Sequence, residues 1–441
     1  MIELIKRKLH VIFKSAFSKN VALLMTGTAI SQVIGVLFYP VITRFFSPED
    51  FGLYVLFNSI LGILTVIGAM RYEFSIPIVA NKFKAINALF MSLIILVVFC
   101  LTLLIITYLF GHNLLSIVDA EKLAPYKYIL ILGVFFAGLY TILNQWAFRI
   151  KAFKKLSVTR VSRSLTLNIS QVMFGFFKFG GIGLITGKII GEFSGNIVLI
   201  KEVLKFEKNI FSQFSAKEIK HLLIRYKKFP LFTAPTQLFN KAGMELPVFF
   251  ITAIFGSSVV GLYGLAHLIV SLPMNLIGNA VGDVFYAEAA SSGRQNPKDL
   301  LLRSNNLLKK LILMGIMPLV ILLLFGPYLF GFVFGQEWSE SGIYAQIIAI
   351  LVFFRFIFTP ISRIFQVFEK QIQALLLDMS RLGLVIIIFL IVEFYNINSY
   401  TAIGIYTAFM SLLYFITYIC ARRIIVEQIK SKQKENENRL P

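Results

Sequence analysis

Apolar residues in this chain come in long blocks, without the two-residue alternation of a half-buried strand or the single stripe of a surface helix. Blocks such as 83–110 and 371–393 carry few ionised side chains and are long enough for a helix to cross about 30 Å of hydrocarbon. Block length and turn signals together predict about twelve spans. Their limits are 20–46, 51–79, 83–110, 123–148, 156–178, 182–205, 229–254, 259–290, 301–325, 341–366, 371–393 and 400–421. The blocks exceed the length of a membrane barrel strand, so the expected fold class is all-α integral membrane.

Composition agrees, with 57% hydrophobic residues, 15% charged and a mean hydropathy of +0.79. A soluble helical protein of 441 residues would need far more charge to cover its surface. The formal net charge of +21 acquires its meaning from placement. With the N-terminus inside, the inner segments are 1–19, 80–86, 149–163, 201–228, 291–310, 363–381 and 421–441. They hold roughly 35 of the 43 Lys and Arg residues, against about two, Lys122 and Lys178, in the outer loops. This bias predicts a multi-pass membrane protein with both termini cytoplasmic and an even number of spans. It also removes nucleic acid as a partner. Residues 1–19, with Lys6, Arg7, Lys8, Lys14 and Lys19 among aliphatic side chains, are expected to form an amphipathic segment on the inner face. No small-residue cleavage site follows them, so no removable signal peptide is expected.

A repeat divides the chain. Phe46, Gly52, Leu53 and Tyr54 recur at the same spacing as Phe255, Gly261, Leu262 and Tyr263, in each case between two spans. A second echo pairs Ala152-Phe153-Lys154-Lys155 after span four with Val367-Phe368-Glu369-Lys370 after span ten. Two six-helix bundles in parallel repeat are therefore expected, at 20–205 and 229–421, with a cytoplasmic linker at 206–228 and a tail at 422–441.

Chemistry of other kinds finds no pattern here. Cys100 and Cys420 fall inside apolar spans, and the four histidines, His10, His112, His221 and His267, lack ligand spacing, so no metal is expected. No GxxxxGKS phosphate cradle or nucleophile-and-base spacing occurs, so neither an enzyme nor a cofactor is expected.

What remains is a small set of charges within or beside spans, each costing on the order of 3 kcal/mol at a helix centre unless partnered or wet. The candidate cations are Arg44, Arg71, Lys188, Lys241 and Arg355. Arg44 lies near the outer end of span one, where head-group contact and snorkelling beside Glu49 and Asp50 both fit. Lys188 with Glu192, and Lys241 with Glu245, stand one turn apart, so each can neutralise itself or face a substrate. Arg71 has Glu73 nearby, and Arg355 has Asp378 as a candidate partner. Asp283, Glu245 and Glu288 are candidates to carry a coupling proton or sodium ion, with helix-end pairing to Arg294 or Lys298 as the other reading for Asp283 and Glu288. Gln32, Asn144 and Gln145 can bond sugars or neighbouring helices. Pro235, Pro247 and Pro273 are candidate hinges in spans seven and eight.

The stretch Ile42-Thr43-Arg44-Phe45-Phe46-Ser47-Pro48-Glu49-Asp50-Phe51-Gly52-Leu53-Tyr54 resembles the first-loop signature of bacterial polysaccharide flippases. These are the O-antigen and capsule repeat-unit translocases of the multidrug, oligosaccharidyl-lipid and polysaccharide exporter superfamily. Arg71-Tyr72-Glu73 with Ile76-Pro77 is similar to that family's second span, and Gly191-Glu192-Phe193 to its sixth. The longest similarity is 229–290, with Phe229-Pro230, Ala234-Pro235, Leu246-Pro247, Leu272-Pro273-Met274 and Glu288-Ala289-Ala290. The resemblance implies a flippase for an undecaprenyl-pyrophosphate-linked oligosaccharide, working by alternating access through a cationic cavity lined by spans one, two, seven and eight. Arg44, Arg71 and Lys241 would then converge on that cavity. Membrane lipid and a glycan polymerase are the other implied partners. Coupling to a proton or sodium gradient, or to the membrane potential, is the implied energy source. An ion-coupled drug or metabolite antiporter of the same superfamily is the alternative.

Overall fold

The computed structural model describes residues 16–117, 121–206, 210–293 and 296–437. Of the amphipathic segment expected at 1–19, residues 1–15 lie outside these, as does Arg294. Fourteen α-helices follow in order: α1 (Ala16–Ile42), α2 (Pro48–Ile67), α3 (Lys82–Ile117), α4 (Lys127–Arg149), α5 (Phe153–Phe176), α6 (Gly181–Phe206) and α7 (Ala216–Arg225). Then come α8 (Ala234–Pro273), α9 (Asn279–Glu288), α10 (Pro297–Phe334), α11 (Ser339–Ser362), the single turn α12 (Ile364–Val367), α13 (Gln371–Phe394) and α14 (Ser399–Glu437). No strand occurs among the described residues. In hydrocarbon only a helix or a closed barrel satisfies every backbone group, and this chain takes the first course.

Among the described residues, ten segments are long and apolar enough to cross a membrane, which makes this a multi-pass membrane protein. One of them, Phe229–Ser291, is 63 residues long and contains the predicted spans seven and eight, divided at Gly256. Helix α5 is absent from the ten because it is too polar, yet it packs closely on α1 and α6. Its hydroxyls find partners there. Ser157 donates to the Leu23 carbonyl at 3.0 Å and Ser164 to the Ser31 carbonyl at 2.7 Å, while Arg160 bonds Thr28. Such interhelical bonds are what allow a polar helix to lie among apolar ones. With α5 counted and the long segment taken as two crossings, the expected twelve spans are present.

The chain forms two compact units, Met1–Ala253 and Ile254–Pro441. In the first, α6 packs on α2, α4 and α5, and α3 packs on α4. The segment expected as a linker at 206–228 is folded against this unit through α7. Tyr72 donates to the Leu223 carbonyl at 3.1 Å, and Asn87 bonds both Gln213 and Ser215. The opening of α8, with Lys241 and Glu245, also belongs to the first unit. In the second unit, α11 packs on α10 and α14, and α13 on α14.

Helix α2 starts sharply because Ser47 and Asp50 form a capping box and Pro48 occupies the first turn. It ends earlier than predicted. The sequence suggests a span to residue 79, but the helix stops at Ile67, and Met70 and Arg71 turn left-handed at φ 50° and 61°. A short turn over Tyr72–Ser75 follows and buries Glu73. Burial pushes the Glu73 carboxyl up, opposed by its own backbone and by Arg71 at 3.4 Å. Helix irregularities lie beside two of the candidate hinges, Pro235 and Pro273, whereas Pro247 sits within regular helix. A π-helical turn spans Phe229–Thr233 just before Pro235, and another, Met274–Gly278, directly follows Pro273.

The repeat is written in the backbone. Ser47 after Phe46 and Gly256 after Phe255 are both extended breaks, at ψ 164° and 176°, so the first motif marks equivalent places. Gly256 has φ 85°, a conformation open to glycine. Lys151 and Glu369 are both left-handed, and each begins the turn before a 24-residue helix, α5 and α13. The bonds match: Ala152 N–H to the Ala147 carbonyl at 2.9 Å, and Lys370 N–H to the Phe365 carbonyl at 2.8 Å. Lys178 and Asn396 repeat the pattern after those helices. The second echo therefore needs a correction: Lys151 corresponds to Glu369, displacing the pairing of Ala152 with Val367, because a turn conformation is repeated here and not a string of side chains.

Close helix approach gives a direct test. A Cβ on Gly342 would lie 2.4 Å from the Gly326 carbonyl carbon and oxygen, whereas one on Gly404 meets nothing within 4 Å. Gly342→Ala is expected to destabilise the detergent-solubilised protein by about 1–3 kcal/mol. Gly404→Ala should leave thermal unfolding unchanged or shift it upward, and equal behaviour of the two variants would refute this crossing.

Candidate functional site

Inside the first unit, α2, α4, α5 and α6 line an open cavity of about 240 Å³. Asn58 and Gly62 come from α2, Tyr140 from α4, Arg163 from α5, and Lys188 and Glu192 from α6. Lys188 and Glu192 share a helix face because they stand one turn apart, and their charged groups are 3.1 Å apart. Arg163 reaches the same carboxylate oxygen, Glu192 Oε1, from the neighbouring helix. Its guanidinium also lies over the Tyr140 ring, 4.5 Å from the centroid. Glycines at 187, 191 and 195 let α6 approach closely; a Cβ on Gly191 would sit 2.7 Å from Leu167 Cβ of α5.

The Glu192 side chain is 2% exposed, against 26% for Arg163 and 18% for Lys188. Two cations thus share one buried carboxylate and retain surface of their own. The group carries a net positive charge in a setting of low dielectric, where charge-assisted bonds are strong. Arginine offers a planar fork that fits phosphate or carboxylate oxygens, and lysine adds a point charge. Asn58, Thr65 and Thr141 supply neutral hydroxyl and amide groups on the same lining.

Lys241 also lies beside α2. Its Nζ is 2.5 Å from Glu245 Oε1, and Ser59 donates to Glu245 Oε2 at 2.6 Å. Gly62 makes the room: a Cβ there would come within 2.8 Å of Lys241 Cε. Gly62 also lines the cavity, so Lys241 packs against a residue of the cavity wall.

The remaining candidates lie elsewhere. Arg44 is exposed in the turn between α1 and α2, and Arg71 is paired with Glu73 beyond the far end of α2. Twenty residues of helix, about 30 Å, separate those two positions, so Arg44, Arg71 and Lys241 occupy three levels along α2 and do not meet. The other candidates belong to the second unit. Arg355 is half-buried in α11, within electrostatic range of Tyr406. Its suggested partner Asp378 is bonded instead to Arg381, at 2.6 Å. Asp283 pairs with Arg363 at 3.2 Å and Glu288 with Arg303 at 3.5 Å, all near solvent-accessible surface. These arginines come from other segments than the partners suggested by sequence, of which Arg294 lies outside the described residues.

Two residues went unselected from sequence. Arg163 falls at the edge of the inner segment 149–163, where the positive-inside pattern absorbs it among loop charges. Arg381 stands the same number of residues after Glu369 as Arg163 does after Lys151, and it too lies over a tyrosine, Tyr414, at 4.5 Å. The repeated left-handed turns, once aligned, would have found both.

The family model described as polysaccharide biosynthesis protein matches residues 41–343, more than half of the chain. No curated protein sequence matches. Among solved structures, the chain is similar to a multidrug resistance MATE family transporter of the MOP superfamily in its inward-facing conformation. That match has a TM-score of 0.72 and 15% identity, over 93% of this chain and 99% of the other. The outward-facing conformation of such a transporter matches at 0.60 and 15%, over 93% and 96%. A MOP superfamily transporter from Pyrococcus furiosus Vc1 matches at 0.59 and 14%, over 93% and 96%; reversed polarity of its binding pocket is described as suggesting a different function. At these identities the likeness establishes the fold.

Pairing of Lys241 with Glu245 makes a measurable prediction. Glu245→Gln leaves the half-buried Lys241 without its counterion and should lower stability by about 1–2 kcal/mol. Lys241→Met combined with Glu245→Met should recover most of that loss. A double-mutant cycle on thermal unfolding reads the coupling, and additive effects would show that the pair is energetically inert.

Proposed function

Since the chain belongs to this family of polysaccharide biosynthesis proteins, we propose that it is a flippase. Its cargo is a polyprenyl-pyrophosphate-linked oligosaccharide repeat unit, carried from the cytoplasmic to the outer leaflet of the bacterial inner membrane by alternating access. The observation that carries this reading is the cavity in the first unit, where Arg163 and Lys188 share the single carboxylate of Glu192. A diphosphate and its sugars are insoluble in hydrocarbon, while the polyprenyl tail is at home there. Moving the headgroup requires a polar, net-positive compartment inside a membrane protein, and this cavity has that character.

Arg163 and Lys188 contact the phosphate oxygens in this reading, and Asn58, Thr65 and Thr141 offer hydrogen bonds to hydroxyls. Lys241, Arg44 and Arg71 act along the same helix as further cations on the path, and Arg355 serves in the second unit. Glu245, Asp283 and Glu288 are the carboxylates available for proton or sodium coupling. With the cell interior negative, each anionic charge moved outward gains about 2.3 kcal/mol per 100 mV, so the membrane potential favours export. In this reading both termini lie in the cytoplasm, the side that the positive-inside bias supports. A glycan polymerase on the outer side is the consumer expected of such a product. Export of cationic drugs is less well supported, because a net-positive cavity repels that cargo.

The test uses vesicles containing the purified protein and a lipid-linked oligosaccharide with a fluorescent sugar, whose arrival in the opposite leaflet is read by accessibility to a glycosidase. Arg163→Ala and Lys188→Ala should each slow transfer by roughly tenfold, the worth of one charge-assisted bond. Lys155→Ala, which alters the exposed end of a pair with Glu202 away from the cavity, should leave the rate unchanged. Undiminished transfer by both cavity variants at matched protein levels would remove the cavity from the pathway.

A further inference from the structure

The way Glu192 is bonded differs from an ordinary structural ion pair. A carboxylate that only locks two helices together is normally satisfied through both oxygens, often by a bidentate fork. Here Oε1 takes both Arg163 and Lys188, whereas Oε2 is buried without a hydrogen-bond partner. The carboxylate is buried, while Arg163 and Lys188 keep 26% and 18% of their side-chain surface open, and all three line the same cavity. Arg163 also lies over the Tyr140 ring, 4.5 Å from its centroid, so it keeps a second partner when it leaves Glu192. Both cations can therefore turn toward a group arriving in the cavity without moving a helix.

The geometry points to Glu192 as a displaceable internal counterion: it holds Arg163 and Lys188 while the cavity is empty and yields them to an incoming phosphate or diphosphate oxyanion. This role rests on the oxyanion reading of the cavity given above. Its value to a carrier is physical. Two bare cations in a low-dielectric cavity would bind a diphosphate too tightly to release it. A competing carboxylate lowers that affinity and keeps the empty carrier near charge balance. Glu192 would thus set how readily cargo leaves, and its removal should tighten binding while slowing turnover. A carboxylate that merely holds the fold together would do neither.

Binding of inorganic pyrophosphate and of farnesyl diphosphate to the purified protein in neutral detergent can be measured by calorimetry. Glu192→Gln, nearly isosteric, is expected to tighten both by roughly tenfold or more, the scale of removing one nearby competing charge. Arg163→Gln and Lys188→Gln should weaken both to a similar degree. Stronger binding of farnesyl diphosphate than of pyrophosphate would assign the site to a lipid-borne diphosphate; equal binding would assign it to the oxyanion alone, and both agree with the counterion role. Glu192→Asp, which keeps the charge but shortens its reach, serves if the glutamine variant does not fold, and should tighten binding to a lesser extent. Unchanged or weakened binding in the folded variant overturns the proposal. Tightened diphosphate binding without any lipid-linked oligosaccharide transfer by the unaltered protein would instead sink the flippase reading and leave the counterion standing.

Discussion

A charge surrounded by hydrocarbon has to be compensated by another group of the protein, and in this molecule that requirement organises the first unit around Glu192. The carboxylate is nearly inaccessible, and its partners come from two helices, Lys188 from its own and Arg163 from α5. Helix α5 is in turn too polar to be stable against lipid alone. It stays in place because α1 offers backbone carbonyls to Ser157 and Ser164, and a hydroxyl to Arg160. One arginine therefore connects the polarity of a helix, the zipper that buries it and the charge of a cavity.

The repeat shows which parts of this arrangement are architectural. Left-handed residues frame α5 and α13 in the same way, and each helix carries an arginine stacked on a tyrosine. What differs is the counterion. Arg381 is bonded to Asp378 one turn earlier on its own helix, half-exposed, and to Thr417. Arg163 is bonded across to a buried glutamate on α6 beside a cavity. The repeated backbone supplies a cation in both units, and the placement of one carboxylate makes the first of them suited to a ligand.

The sites were partly legible in sequence because neighbours on a helix are close in sequence. Lys188 with Glu192 and Lys241 with Glu245 could be paired from their spacing alone, and both pairs are present. Ser59 on Glu245, Arg163 on Glu192 and Arg363 on Asp283 could not, since each bridges different helices. The early end of α2 was likewise hidden: residues 68–79 are apolar enough to continue a span, but the left-handed turn at Met70 and Arg71 belongs with the burial of Glu73 and the docking of Tyr72 on α7.

The sequence by itself determined that this chain is a bundle of membrane-spanning helices with an internal duplication, and it exposed the few charges that lipid would not tolerate alone. Those properties depend on block length, composition and short-range spacing, which are linear quantities. Only the tertiary structure decided which of those charges share a partner and which stand at opposite ends of a helix. The energy of a charge in a low-dielectric medium depends on distances of a few ångströms between segments far apart in the chain, and helix packing alone sets those distances.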